Sequence, residues 1–286
     1  APRPFHDFNE FIEIWIAIHH CLRGADDLTR VLDEFIADRV EQNIIHTEAF
    51  FTPHTLVMFG IPIDHIFRAV DDAAANALRA GVSIRWIPDI SRNLHPKASD
   101  ATLAYLRDRP PSVIGLGLGG PEADHPAKWF VGHYARAREM GLHLVAHAGE
   151  TDGPESVRSA LDDLGVERIG HGVRAIDDPA LVERLVRDRV PLEVCPSSNV
   201  MLGVFPSHEA HPVRRLFDAG ARVTIGSDDP GVFGASLTAE FERVVETHGF
   251  TPDETRRLVE NGIAAAFVSD DERAALRRRL DSFQEF

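Results

Sequence analysis

A strand-like run followed by a helix-like stretch recurs along this chain at intervals of roughly 25–40 residues. Seven short apolar runs rich in β-branched residues alternate with segments whose apolar residues repeat at the helical spacing. The runs are Ile44–Phe51, Val82–Ile90, Ser112–Leu118, Leu142–His147, Arg168–His171, Pro191–Cys195 and Arg222–Gly226. Strands that alternate with helices pair in parallel through right-handed crossovers. The alternation therefore predicts an α/β fold with a parallel sheet.

Polar residues lie at or just beyond the C-terminal ends of several runs. They are His147, Glu150, His171, Ser197, Asn199, Asp228 and Asp229. A TIM-type (β/α)8 barrel builds its active site from the C-terminal ends of its strands and the loops that follow them. An open doubly wound sheet places ligands similarly, but a glycine-rich phosphate turn normally follows its first strand. The weak candidate for such a turn, Gly115–Gly120, comes later and is followed by Pro121, so we predict the barrel.

The predicted barrel is incomplete at its start. A closed barrel of this kind has eight strands, whereas the sequence offers seven and opens on two helical patterns, Phe5–His20 and Asp26–Glu41. We therefore expect the first strand to be missing from this sequence, which begins with Ala1. We predict a single, N-terminally incomplete barrel domain over residues 1–286, with C-terminal helices at about 252–286.

The composition narrows the classes of partner. A formal net charge of −15 argues against nucleic acid, since phosphate binding needs a basic surface. No stretch reaches the roughly 20 apolar residues of a membrane span, so no membrane association is expected. Two cysteines in 286 residues do not make a disulfide framework, which indicates a reducing, cytoplasmic location. The sequence leaves the oligomeric state open.

The first motif with chemical content is His147–Glu150, with the sequence His-Ala-Gly-Glu. A histidine that ends an apolar strand points into the space shared by neighbouring strand ends, and neutral imidazole is a good zinc ligand. A carboxyl group three residues later, beyond a flexible glycine, can face a substrate and donate a proton to it. The alternative for this motif alone is structural: a hydrogen-bonded histidine and a helix-capping glutamate.

Two further motifs lie at the end of the fifth run and directly after the seventh. In Gly170–Gly172, the flanking glycines let the backbone turn sharply around His171, whose imidazole can act as a general base or orient water at a metal. In Ser227–Pro230, either Asp228 or Asp229 can ligate a cation while the other binds a substrate or a ligand. Each motif alone is compatible with a structural role. Three motifs at the same end of one sheet predict a shared site.

Four segments resemble motifs of the adenosine deaminase family in residue type, order and spacing. The segments are His147–Glu150, Gly170–Gly172, Val194–Asn199 and Ser227–Gly231. The likeness extends over essentially the whole chain. It implies a zinc-dependent (β/α)-barrel hydrolase that removes the 6-amino group of adenosine or an adenosine-like nucleoside.

The resemblance implies roles for individual residues. His147 and Asp228 would bind one zinc ion, and Glu150 would protonate the purine ring nitrogen beside the carbon that is attacked. His171 would orient or deprotonate the water that zinc activates. The family's first strand carries a His-x-His pair with two more zinc ligands, and this sequence has no such pair at its start. Catalytic zinc normally has at least three protein ligands, so we expect the others from the missing strand.

The resemblance also implies substrate contacts. Asp229 would hydrogen-bond the five-membered ring of the purine, and the backbone N–H of Gly120 would contact the ring, although the loop after this glycine is shorter than in the family. Arg92 follows the second run and is a further candidate contact, but we expect it to be a surface arginine. The substrate stays open among adenosine, free adenine and a modified adenosine such as aminodeoxyfutalosine. The segment Asp229–Gly234 mildly favours an adenosine-type member.

Two other functions remain as alternatives. A catalytically silent protein that binds a nucleoside or a partner on the same scaffold would explain the missing strand. Another amidohydrolase, acting on esters or cyclic amides, would share the metal site. The position of Glu150 disfavours the latter, since protonating a ring nitrogen suits a purine substrate.

Overall fold

The computed structural model describes Phe5, residues 8–94 and residues 96–283. The chain forms two compact units. The N-terminal unit consists of residues 6–147 and 159–166, and the C-terminal unit consists of residues 1–5, 148–158 and 167–286. The single domain over 1–286 stays a prediction, and residues 284–286 at the end of its helical tail lie outside the described residues.

The N-terminal unit begins with helices, as the sequence predicts. Its helices are α1 (Phe8–His19), α2 (Ala25–Glu41), α3 (Pro53–Met58), α4 (Ile63–Arg79), α5 (Pro96–Tyr105) and α6 (Val131–Glu139). Its strands are β1 (His46–Phe51), β2 (Ser83–Ser91), β3 (Gly115–Gly119) and β4 (His143–Ala148), the last residue of which belongs to the C-terminal unit. Short 3₁₀ helices cover Leu106–Asp108 and Ala127–Phe130, and a π-helical turn covers Ala160–Leu164.

Strands β1 to β4 pair in parallel and follow chain order. The register aligns His46 with Ser83, Asp89 with Gly117, and Gly115 with His143. Helix α4 packs against β2 through an apolar stripe at the helical spacing. The buried side chains of this helix are Ile66, Phe67, Ala69, Val70, Ala73 and Ala77. The crossover helices therefore cover the sheet and leave the strand ends available for polar residues.

The C-terminal unit repeats the same alternation. Its strands are β5 (Arg168–His171), β6 (Pro191–Val194) and β7 (Arg222–Ile225). Its helices are α7 (Pro154–Ser159, the last residue of which belongs to the N-terminal unit), α8 (Pro179–Asp188), α9 (Pro196–Met201), α10 (Val213–Asp218), α11 (Pro230–Phe233), α12 (Leu237–His248), α13 (Pro252–Ala265) and α14 (Asp270–Asp281). A 3₁₀ helix covers Val173–Asp177.

The strands β5, β6 and β7 are parallel and short. The register aligns Ile169 with Leu192 and Leu192 with Val223, and all three of these residues are fully buried. Each strand is four residues long. His171 is the last residue of β5, while Asn199 and Asp228 lie a few residues beyond the ends of β6 and β7. Among the described residues, no helix is long and apolar enough to cross a membrane.

Candidate active site

Strand β5 ends at His171 in a strained backbone conformation. His171 has φ 60° and Gly172 has φ 69°, so two successive residues adopt the left-handed region that disfavours side chains. A Cβ atom at Gly172 would lie 2.6 Å from Leu192 Cδ2, which explains why glycine stands there. The turn leaves the His171 side chain 3% exposed, within the site and not on the surface.

Glu150 reaches the same place from the turn that follows β4. Gly149 has φ 68°, and its carbonyl accepts a hydrogen bond from the Arg174 N–H at 2.8 Å. This link holds the turn against the segment that follows β5. The Glu150 side chain is buried, and its Oε1 lies 3.6 Å from His171 Nε2.

The third group follows strand β7. Asp228 has φ 53°, and its Oδ2 lies 3.8 Å from His171 Nε2. The neighbouring Asp229 precedes helix α11. Burial raises the pKa of the Asp229 carboxyl to about 7, repulsion from Asp228 and Glu150 adds to this rise, and His171 opposes it.

These four residues form a donor set that fits a divalent metal ion. The carboxyl groups of Glu150 and Asp228 face the same nitrogen of His171, and repulsion from both adds to the burial that raises the pKa of Asp229. A divalent cation offsets such repulsion. Imidazole nitrogen and carboxylate oxygen together are typical ligands of zinc.

Asn199 connects two of these residues to a second histidine. Its amide Nδ2 lies 3.2 Å from His171 Nδ1 and 3.4 Å from Glu150 Oε1. Its Oδ1 lies 3.1 Å from His211 Nε2. Asn199 is fully buried and His211 is 3% exposed. The sequence indicated Asn199 only as a polar residue after a strand, and no pattern around His211 pointed to the site.

Helix α12 fixes the segment that carries Asn199. The Ser197 N–H donates to Glu240 Oε2 at 2.9 Å, so the buried Glu240 carboxylate caps the first turn of α9. The Ser197 hydroxyl donates to the other oxygen of Glu240 and accepts from Arg243 Nε at 3.0 Å. These contacts hold the first turn of α9, the helix that contains Asn199.

His147 lies in the N-terminal unit, at the end of β4. Its Nδ1 lies 3.2 Å from the Leu118 carbonyl oxygen, to which an Nδ1–H donates. The neutral ring then carries its lone pair on Nε2, which is the form that a metal ligand requires. The Phe50 ring packs edge-on against it, with the centroids 5.5 Å apart.

Arg92 contradicts the expectation of a surface arginine. It is 2% exposed, and its guanidinium donates to the carbonyl oxygens of His147 at 2.5 Å and His125 at 3.3 Å. Arg92 therefore braces the end of β4 against the loop that follows β3. Gly120 begins this loop with φ 93°, and a Cβ there would lie 3.0 Å from Asn93 Oδ1.

Within the C-terminal unit, the structure brings together Glu150, His171, Asp228 and Asp229. His147 and Gly120 are parts of the N-terminal unit, where both follow or end buried strands. The roles of these six residues in metal and substrate binding stay predictions.

Comparison with known proteins gives consistent matches over almost the whole chain. The family model described as adenosine deaminase matches residues 3–283. An adenine deaminase of Cupriavidus necator is 39% identical over 284 residues, which cover 99% of this chain and 81% of that protein.

Two solved structures are similar in fold as well as in sequence. The crystal structure of adenine deaminase from Arthrobacter aurescens matches with a TM-score of 0.94 and 31% identity, over 97% of this chain and 85% of that one. An amidohydrolase from Burkholderia ambifaria with bound Zn matches with a TM-score of 0.86 and 31% identity, over 91% of this chain and 73% of that one. These matches confirm the predicted α/β fold class of the (β/α)-barrel type.

Proposed function

Because this chain belongs to the adenosine deaminase family and is a hydrolase of C–N bonds in cyclic amidines, we propose that it deaminates adenine at C6. The observation that carries the proposal is the cluster of Glu150, His171 and Asp228. The His171 Nε2 atom lies 3.6 Å from the buried carboxyl group of Glu150 and 3.8 Å from the carboxylate of Asp228.

The relatives favour the free base over the nucleoside. The sequence motif mildly favoured an adenosine-type member, whereas the Cupriavidus necator relative and the Arthrobacter aurescens structure are both named adenine deaminase. Purine deamination is common to both possibilities. Adenine is therefore the substrate that we propose, and adenosine is the comparison that tests it.

We propose zinc as the metal, with His147 and Asp228 among its ligands. The Burkholderia ambifaria relative with bound Zn supports this choice, as does the nitrogen and oxygen donor set of the site. When bound, zinc would lower the pKa of water towards about 7 and so supply a nucleophile at neutral pH.

We propose the roles of the remaining residues from the resemblance of their motifs to those of the family. Glu150 is buried beside His171 and donates a proton to the purine ring nitrogen next to C6, which makes that carbon electrophilic. Asp229 binds the five-membered ring, where a carboxyl group that retains its proton near neutral pH can donate a hydrogen bond to a ring nitrogen. The N–H of Gly120 contacts the ring. Water adds at C6, and ammonia leaves.

The test measures ammonia release and loss of the purine ultraviolet absorbance in the natural protein that carries this sequence, loaded with zinc. We expect a higher kcat/KM for adenine than for adenosine. Release of ammonia from adenosine but not adenine would overturn the choice of substrate. Zinc binding without deamination of any adenine-bearing compound would support the catalytically silent alternative.

The metal assignment has its own test. Asp228→Ala should lose bound zinc, as measured by metal analysis of the purified protein, because a ligand oxygen is removed. Asp253→Ala, at the N-terminus of α13, is the matched control and should retain zinc. Full zinc occupancy in Asp228→Ala would contradict the proposed ligand.

A further inference from the structure

Three hydrogen bonds in the C-terminal unit link the backbone of helix α10 to the ring of His171. The Val213 N–H donates to His211 Nδ1 at 3.2 Å. His211 Nε2 lies 3.1 Å from Asn199 Oδ1, and Asn199 Nδ2 lies 3.2 Å from His171 Nδ1. All three side chains are at most 3% exposed, so water does not compete for these bonds.

The first hydrogen bond of this series determines which atom donates in the bonds that follow. A backbone N–H can only donate, so His211 Nδ1 accepts and the neutral ring carries its proton on Nε2. Burial, together with the nearby rings of His248, His208 and His171, lowers the pKa of His211 to about 3, so the ring is neutral. His211 Nε2–H then donates to Asn199 Oδ1, which turns the amide nitrogen of Asn199 towards His171.

Glu150 imposes the same orientation on Asn199 independently. The Asn199 Nδ2 group lies 3.4 Å from Glu150 Oε1 and has a second hydrogen to donate to it. The reversed amide would place Oδ1 against the carboxylate oxygen, and its N–H groups against the His211 Nε2–H. Both contacts would be repulsive in a buried site.

We infer that His211 and Asn199 hold neutral His171 in the tautomer with a bare Nδ1 and a proton on Nε2. His171 Nε2 faces Glu150 Oε1 at 3.6 Å and Asp228 Oδ2 at 3.8 Å. In this tautomer His171 is a hydrogen-bond donor towards the reacting groups and orients the attacking water; it does not remove a proton from it. The proton that the water loses would pass to the Glu150 carboxylate, which then donates it to the ring nitrogen. His211 and Asn199 are thus positioning residues, and their effect on turnover rests on the proposed function.

The tautomer is measured directly by two-bond ¹H–¹⁵N NMR of the zinc-loaded protein labelled at its histidines. The His171 signals are assigned from their loss in His171→Asn. We expect the pattern of an Nε2–H ring for His171 and for His211. A ring protonated on Nδ1, or on both nitrogens at neutral pH, would overturn the inference.

Asn199→Asp is the sharpest variant because it keeps the shape of the side chain while it replaces the amide donor with an acceptor that carries a negative charge. Aspartate accepts from both histidines, so the proton of His171 should move to Nδ1, and kcat should fall about 10²-fold, as for loss of an oriented catalytic group. KM should change little. A folded Asn199→Asp protein that retains the Nε2–H pattern would contradict the inference, and the wild-type spectrum decides it if this variant does not fold.

Substitutions of His211 separate positioning from packing. The amide nitrogen of glutamine can replace the Nε2 donor, so His211→Gln should retain the Nε2–H pattern of His171 and most of kcat, whereas His211→Leu should lose both. His248→Gln is the matched control, since the His248 ring lies 6.5 Å from that of His211. Equal spectra in His211→Gln and His211→Leu would overturn the role of His211.

The two proposals fail in different ways. If the protein deaminates adenine but His171 is protonated on Nδ1, the tautomer inference is wrong and the proposed function stands. If His171 shows the Nε2–H pattern but no purine is deaminated, the hydrogen-bond network stands and the proposed function is wrong.

Discussion

The carboxyl group of Glu150 is enclosed on two sides, by the Asn199 amide and by the His171 ring. This enclosure gives Glu150 a fixed direction towards the site. The positions of the motif residues could be predicted from the sequence, because each one lies at or just after the end of a predicted strand. Asn199 and His211 could not be given roles, since their importance depends on three-dimensional contacts between segments that no local pattern records.

Replacing Glu150 with glutamine keeps its shape and removes its acidity. We expect Glu150→Gln to retain zinc and to lose about 10²-fold or more in kcat, the usual effect of losing a general acid. Glu155→Gln is the control, because the Glu155 side chain is 87% exposed. Steady-state kinetics and metal analysis make the measurement. Wild-type turnover in Glu150→Gln would exclude it as the acid.

His211 should make the fold sensitive to acid. Its pKa is about 3 in the folded protein and 6.5 by reference when unfolded, so below pH 6.5 the unfolded chain binds a proton that the native chain does not. Stability is therefore lost as the pH falls from 6.5 towards 3, by about 2 kcal/mol between pH 7 and pH 5. His211→Gln should flatten this part of the urea-unfolding profile.

The outcome for His211 is checked against another histidine. The half-exposed His65 lies on α4. His65→Gln should keep the wild-type dependence of stability on pH between pH 7 and pH 5. A His211→Gln protein with the full wild-type slope would show that other groups cause the acid sensitivity.

The elements follow the sequence pattern closely where local rules decide. Strand β5 has the predicted bounds, and helix α8 begins where local rules place a helix start, with an Asp178 cap and a proline at its first position. The segment after β4 divides into α7 and a π-helical turn, a change that no local rule predicts. Tertiary packing buries Ala160 and Leu164 in the π-helical turn. The local sequence does not record such packing.

The pairing of β2 with β3 depends on a glycine. Gly117 is aligned with Asp89 in the register, and a Cβ at Gly117 would collide with the buried Asp89 carboxylate. Gly117→Ala should lower the free energy of unfolding by about 1–3 kcal/mol, the range for overpacking. Gly132→Ala in α6, where a Cβ meets nothing within 4 Å, should be neutral or slightly stabilising. Urea titrations of both variants make the comparison, and equal midpoints would contradict this account.

For the whole chain, the alternation of strands and helices was enough to predict the fold class, because parallel pairing leaves few arrangements. The two compact units could not be predicted, since no change in composition marks their boundaries at residues 147–148, 158–159 and 166–167. The boundaries depend on how densely distant segments pack.

Removal of the metal should act on the stability of the whole molecule. A ligand that binds only the native state stabilises it by mass action, so a chelator should lower Tm of the zinc-loaded protein. Asp228→Ala should have the lower Tm already and should respond little to the chelator. Differential scanning calorimetry with and without chelator measures both, and an unchanged wild-type Tm would argue against a bound metal.

The left-handed conformations of His171 and Asp228 set activity against heat resistance. Such a conformation costs an L residue about 1–2 kcal/mol, a cost that glycine avoids. A library selected only for survival at high temperature in the presence of a chelator, where the metal contributes no stability, should therefore accumulate glycine at both positions and yield heat-resistant but inactive proteins. Directed evolution of this scaffold therefore needs a screen for turnover as well as for heat resistance, because the two selections favour different residues at these positions.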